Sequence, residues 1–547
     1  METRRLILFM ILSIGILFGW QKYEEKYNPK PHASASAPAG QAPAAVNTAA
    51  AEARVALQSA SRMKVVTDLL NVEIDAMGGD IRKLSLVKHG AVEDSKQPFT
   101  LLEDGKERVY IAQTGLFGQN LPNLPTHRTL FKLPAQAVQL AQGQDSLQVK
   151  LEAPETGGIK VNKIYSFKRG SYVVDVDYEI VNGSNAPVSL SAYFRLLRDG
   201  QAPVGDTRMV HTFTGAAVYT EQKKFQKVDF SAVDKGKADF VPACDNGWIG
   251  IVQHYFVAAW LPQQIKPSAG DDCTKQPDRR YDIKKIDNLY SVGVIRDLPA
   301  IAPGQTGKIG MPLFAGPEEY SVISKLAPGL ELTKDYGIFT IIASPLFWLL
   351  AQCHKLVGNW GFAIILLTII VKVVLFPLSA ASYKSMAQMK ALAPRLERLK
   401  EQFGDDRQKM HQAMMELYKT EKINPLGGCL PILLQMPIFI ALYWALLASV
   451  ELRQAPFVGW IHDLSQPDPF YVWPLLLAGS MVLQTMMSPA PTDPMQAKMQ
   501  KIMPIAFSVM FFFFPVGLVL YWLVNNLLSV AQQKFIEHQL RKAKKPA

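Results

Sequence analysis

Five apolar stretches follow one another through roughly the last 210 residues, and the first, 361–379, carries Lys372 in its interior. Such stretches are long enough to lie in lipid, where the backbone must satisfy its own hydrogen bonds and is therefore helical or closed into a barrel. A lysine at that depth costs about 2.5–3.5 kcal/mol on insertion scales, so it marks a functional position. The other stretches are 430–450, 470–488, 499–514 and 516–534. Phe514-Pro515-Val516-Gly517 breaks a run too long for one helix and suits a tight helical hairpin.

Mean hydropathy is +0.06, and 49% of the residues are hydrophobic. That is high for a soluble chain and low for one wholly in lipid, so the apolar residues are segregated. The net charge of +11 is spread without a dominant basic block. It fits cytoplasmic loops and anionic headgroups, not DNA. The helical half shows no nucleotide loop and no metal cluster, so no cofactor and no enzyme activity are expected.

Arg4 and Arg5 precede the apolar run Leu6 to Gly19, and no small-residue cleavage site follows Trp20. Residues 1–27 read as an uncleaved membrane anchor, with a cleaved signal peptide as the alternative. Residues 28–60, rich in Ala and Pro, read as a disordered linker. The arginines hold the N-terminus in the cytoplasm, so residues 22–337 are exported. The nine Lys and Arg of 380–428 then return to the cytoplasm, as does the basic tail, 535–547. Six spans satisfy every loop, five of them in a core over 361–534. Ser344-Pro345 interrupts the apolar segment 338–353, so 331–360 is expected to lie at the interface as an amphipathic helix.

Residues 61–330 read as an all-β sandwich. Val174, Val176, Tyr178 and Ile180 alternate with acids before an Asn182-Gly183 turn, and Leu147, Val149 and Leu151 alternate likewise. Val72 and Ile74 lead to a Gly78-Gly79 turn. His89, His127, His211 and His254 show no zinc spacing. Cys244 and Cys273 share this exported region, where a disulfide is chemically permitted.

The cytoplasmic segment 382–424 reads as a helical hairpin. Met386, Met389, Ala393, Leu396, Leu399 and Phe403 form one stripe, answered by Met410, Met414 and Leu417 after an Asp405-Asp406 cap. The stripes either bury each other or offer an adaptable Met-rich surface to emerging chains.

Asn424-Pro425-Leu426-Gly427-Gly428-Cys429 and Gln435-Met436-Pro437-Ile438-Phe439 closely resemble motifs of the YidC family of membrane protein insertases. So do Glu451 to Phe457, Trp460 to Leu464, Asp493-Pro494-Met495 and Phe514 to Trp522. The anchor, linker and exported sandwich resemble its Gram-negative branch. The resemblance implies an inner-membrane insertase and folding chaperone acting on nascent inner-membrane proteins. Such a protein works alone or beside the Sec translocon, with the ribosome and the signal recognition particle pathway as further partners. It also implies a groove open to the cytoplasm and lipid, closed toward the periplasm, and carrying an arginine on the first core span. Lys372 stands at that position and keeps the charge while losing the planar fork.

The expected groove lining is Lys372, Thr368, Gln435, Gln484 and Asn525. An apolar slide for the departing helix would comprise Met436, Pro437, Phe439, Met510, Phe511, Tyr521 and Trp522. Met386, Met389, Met410 and Met414 would recruit substrate. Against these roles stand a Lys372 that snorkels to the interface, glutamine and asparagine side chains that only join helices, and aromatic residues that are plain core. Two other functions remain open: a transporter of a small anionic solute, and a carbohydrate-binding sandwich on an anchor.

Overall fold

The computed structural model describes residues 57–543 apart from 93, 119–120, 122, 204–211, 263–278, 335, 404–405, 422–429, 488–497, 500, 501, 503, 505 and 507. The anchor 1–27, residues 28–56 of the linker, His211, Cys273, the 424–429 motif, Asp493 to Met495 and the end of the tail lie outside the described residues. The chain divides into two compact units, Met1–Lys334 and Asp335–Ala547.

The first unit is a β-sandwich of a ten-stranded and an eight-stranded sheet among the described residues. The alternation read from the sequence holds in detail. Along Val173–Asn182 every second side chain is buried, because a strand sends successive side chains to opposite faces. Gly78 and Gly79 take positive φ in their turn, at 75° and 57°, a region open to glycine at no steric cost. The sheets meet through Phe194 and Trp260, whose rings lie 5.4 Å apart, and through a 2.7 Å hydrogen bond between the Thr114 and Tyr178 hydroxyls. Cys244 is fully buried and disulfide-bonded. Two short helices, α1 (Phe230–Asp234) and α2 (Tyr320–Leu326), complete the unit.

The second unit is helical. Among the described residues its helices include α3 (Thr340–Val357), α4 (Trp360–Val374), α5 (Phe376–Phe403), α6 (Arg407–Thr420), α7 (Leu430–Leu447), α8 (Val472–Met487) and α9 (Val516–Ala543). Two sequence expectations need correction. Pro345 does not interrupt the 338–353 segment, since α3 runs through it for 18 residues. The donor that proline lacks would have served only the carbonyl of Ile341, at the frayed start of the helix. Among the described residues, α3 is the one helix that by itself is long and apolar enough to cross a membrane. The stretch 361–379 is not one straight helix: α4 ends at Val374, and the chain bends by 68° into α5. Pro377 accounts for the break, because it has no N–H for the Val373 carbonyl and its ring crowds that carbonyl.

The connection between α7 and α8 closes one end of the bundle. Asn359 caps α4 by accepting from the backbone of Gly361 and Phe362, and its amide donates to the Pro456 carbonyl at 3.0 Å. Asp468, buried, accepts from Trp460 Nε1 at 2.8 Å and from the backbone of Phe470 and Trp473. The first turn of α9 donates into the same loop, Val516 to Gln466 and Gly517 to Leu464, both at 2.9 Å. These bonds occupy donors that a helix N-terminus otherwise leaves unpaired.

Candidate substrate groove

Lys372 and its neighbours meet at one depth of the bundle. Lys372 lies twelve residues beyond the start of α4, roughly 18 Å along the axis, and Ser529 thirteen beyond the start of α9, roughly 20 Å. Both helices begin at the closed end, so the side chains face each other far from it. Lys372 Nζ donates to Ser529 Oγ at 2.7 Å and to Gln435 Oε1 at 3.4 Å. Ser529 donates onward to the Asn525 carbonyl at 2.8 Å. Lys372 is only 7% exposed, so it turns into the bundle and does not snorkel. Among the described residues no carboxylate pairs with it.

A cavity of about 20 Å³ sits beside this cluster, lined by Lys372, Ser379, Tyr383, Gln435, Tyr521 and Asn525 among others. It has room for about one water. This cavity is far smaller than the open, watered groove expected from the sequence. A much larger cavity lies elsewhere, in the β unit.

Of the five expected lining residues, Lys372, Gln435 and Asn525 come together. Thr368 does not join them; its hydroxyl donates to the Ile364 carbonyl of its own helix at 2.6 Å. Gln484, half-buried on α8, is absent from the pocket lining. Its helix is held instead by Asn526, which reaches Ser480 Oγ at 3.4 Å, and by Gln533, which reaches the Met487 carbonyl at 3.1 Å. Ser529, Ser379 and Tyr383 went unnoticed in the sequence. A signal for Ser529 was present: Asn525, Ser529 and Gln533 recur every four residues along α9.

The expected apolar slide divides. Phe511 is fully buried and Tyr521 nearly so, so neither offers a surface. With half-buried Phe439 and Trp522 they form an aromatic core, Phe439 lying edge-on to Trp522 at 4.0 Å and Phe511 meeting Trp522 at 5.1 Å. Aromatic rings at such spacings attract through their quadrupoles, which favours burial. Met510 and Pro437 are half-buried, and Met436 is exposed. In the hairpin, Leu392 and Leu396 are buried with Met389, Met414 and Leu417 packed on them. Met386 and Met410 are half-buried. Asp406 caps α6 through the backbone of Gln408 and Lys409, and Arg395 pairs with Glu421 at 2.6 Å across the hairpin. The two stripes therefore bury each other.

Two family models match the chain: the YidC periplasmic domain over residues 62–349 and the 60Kd inner membrane protein over residues 352–544. The chain belongs to the YidC family of membrane protein insertases. A YidC insertase of Laribacter hongkongensis is 56% identical over 99% of this chain and 98% of its own length. One of Nitrosospira multiformis is 49% identical over 97% and 96%. Among solved structures, a crystal structure of an active YidC insertase with its first transmembrane domain resolved is 18% identical, covers 87% of this chain and 92% of its own, and has a TM-score of 0.40.

Proposed function

We propose that the cluster around Lys372 is the positively charged floor of an insertion groove in a six-span inner-membrane protein. Both termini are cytoplasmic and residues 22–337 periplasmic, with residues 331–360 at the interface. The observation that carries this reading is a buried ammonium held, among the described residues, only by neutral partners, far from the end closed by the 450–470 loop. A charge held by dipoles alone keeps attraction to spare for an acidic or polar exported segment. The pocket must widen to admit one, and parting of α5 and α7 along Ser379, Tyr383 and Gln435 would widen it. The substrate's apolar helix then leaves into lipid past Met436, the exposed member of the expected slide. Burial of that helix drives the step at about 25 cal/mol per Å².

Such a device serves short substrates alone and longer ones beside the Sec translocon. The hairpin, opened, would offer Met386, Met389, Met410 and Met414 to chains arriving from the ribosome or the signal recognition particle pathway. The test is insertion of a single-span protein with a short acidic tail into proteoliposomes holding only this chain, scored by protease protection. Wild type and Lys372→Arg should insert, and Lys372→Ala should fall about tenfold. Equal insertion by all three would remove the charge from the mechanism, and none above empty liposomes would remove autonomous insertion.

A further inference from the structure

The β unit carries a cleft of about 1140 Å³ that the groove reading does not use. It exceeds the roughly 300–1,000 Å³ that accommodate drug-sized ligands, so a segment of several residues fits. One part of its lining is built for a carboxylate. Arg195 stands directly opposite Gln113 in the sheet register and donates to Gln113 Oε1 from Nε and Nη2, at 3.2 and 2.8 Å. Gln113, buried, is itself fixed by donating to Asp80 Oδ2 at 2.9 Å. The guanidinium, also resting over the Tyr193 ring at 5.3 Å, is thus pre-positioned, with Nη1 unpaired among the described residues.

His127 adds a neutral donor beside it. The Tyr193 hydroxyl accepts the His127 backbone N–H at 3.0 Å and pairs with Nδ1 at 2.6 Å; in the tautomer where the hydroxyl donates, the ring proton sits on Nε2. Arg128 stands next to it, exposed. The lining carries Lys106, Arg128, Arg195 and Lys285 against Glu107, Asp199 and Asp287. Asp199 is taken up by the backbone of Val109 and Gln201, and Glu107 and Asp287 are exposed. The lining also holds aliphatic Val109, Leu197, Ile286 and Leu289, together with polar Lys106, Lys285 and Asn288. Tyr290, the lining tyrosine, is covered by Phe230 in a 4.2 Å stack, which leaves no phenol ring for a sugar to stack on.

We propose that this cleft binds extended acidic peptide segments, with a carboxylate on Arg195 and flanking aliphatic side chains against Leu197, Ile286 and Leu289. The inference is independent of the groove. It is tested by fluorescence anisotropy on the full chain in phosphatidylcholine nanodiscs, with a fluorescein-labelled heptapeptide of alternating Leu and Glu as probe. Saturable binding is expected. Arg195→Gln should weaken it about tenfold or more, since a charge-assisted forked contact is lost. The peptide with Gln for Glu should show the same loss on wild type and little further loss on Arg195→Gln. Arg128→Glu, at an exposed site where folding is not at risk, should weaken binding several-fold. Equal binding of the Glu and Gln peptides, or affinities unchanged in both variants, would overturn the proposal. So would a cleft that ignores the peptide at millimolar concentration and binds an oligoglucuronate.

Discussion

Lys163 in the sandwich and Lys372 in the helical unit are both buried, and the two are held in opposite ways. Lys163 in the sandwich is fully buried, donates to the Gly78 carbonyl at 3.0 Å, and lies 4.0 Å from Asp80 and within 6 Å of the Phe131, Tyr165 and Tyr178 rings. Burial pushes its pKa down to about 8, with Asp80 opposing the shift. Lys372 in the helical unit has a serine, a glutamine and a small void. A charge that its own fold neutralises belongs to the architecture. One answered only by neutral dipoles beside a cavity has attraction left for a visitor.

The largest expected effect separates the two on stability. Lys163→Met leaves Asp80 buried without its lysine, and breaking a buried pair from one side costs about 3–5 kcal/mol. Arg82, 3.5 Å from Asp80, places the loss at the lower end. Lys372→Met strands no opposite charge and should change stability by less than about 1 kcal/mol. Urea unfolding followed by hydrogen exchange of the Ile159–Lys168 strand and of α4 reads both. Equal losses would end the distinction.

A second substitution turns one lysine into the other. Ser529→Asp gives Lys372 the acidic partner that Lys163 already has. The prediction is a protein as stable as wild type whose insertion of an acidic-tailed substrate falls about tenfold, as with Lys372→Ala. Ser529→Ala, which removes only the 2.7 Å acceptor, should cost a few-fold. If Ser529→Asp inserts normally, the spare charge is not what draws the substrate.

The sequence made these two regions unequally legible. Strand alternation is a period-two signal in neighbouring residues, so Val174 to Ile180 could be placed on their faces without the fold. Lys372, Gln435 and Asn525 were readable because a charge or an amide is costly in an apolar helix. Ser529 and Thr368 were not separable by type: each hydroxyl can bond its own helix, and both do, yet only Ser529 also receives Lys372. The bend before Pro377 was hidden because a proline near the end of an apolar run reads as its stop. Arg195 and Gln113 are 82 residues apart, and only the strand register brings them together.

The closed end of the bundle offers a smaller effect. A Cβ at Gly361 would stand 2.0 Å from the Phe457 ring, so Gly361→Ala must push the loop away from α4. Overpacking of this kind costs about 1–3 kcal/mol. Faster hydrogen exchange at Ile461 and Leu464 should report it, with no change at Lys163. Unchanged exchange there would mean that the loop is not sealed by this contact.

The smallest effect concerns a half-buried base in the sandwich, His127, with no acidic partner among the described residues. Partial burial, with Arg195 and Arg128 adding to it, holds His127 down at about 4, against 6.5 for a free imidazole. The ring is therefore neutral in the folded unit at pH 7, while the unfolded chain takes up a proton below about 6.5. Between those values the unfolded state binds more protons, so the stabilisation is complete above pH 6.5 and is lost as the pH falls through about 4. Half-exposure discounts the size to about 1 kcal/mol. His127→Gln removes this titration, so the pH 7-to-4 loss of stability in urea should be smaller in the variant by that amount. An identical slope in both proteins would mean that His127 charges freely within the fold, and that the neutral donor beside Arg195 is not there.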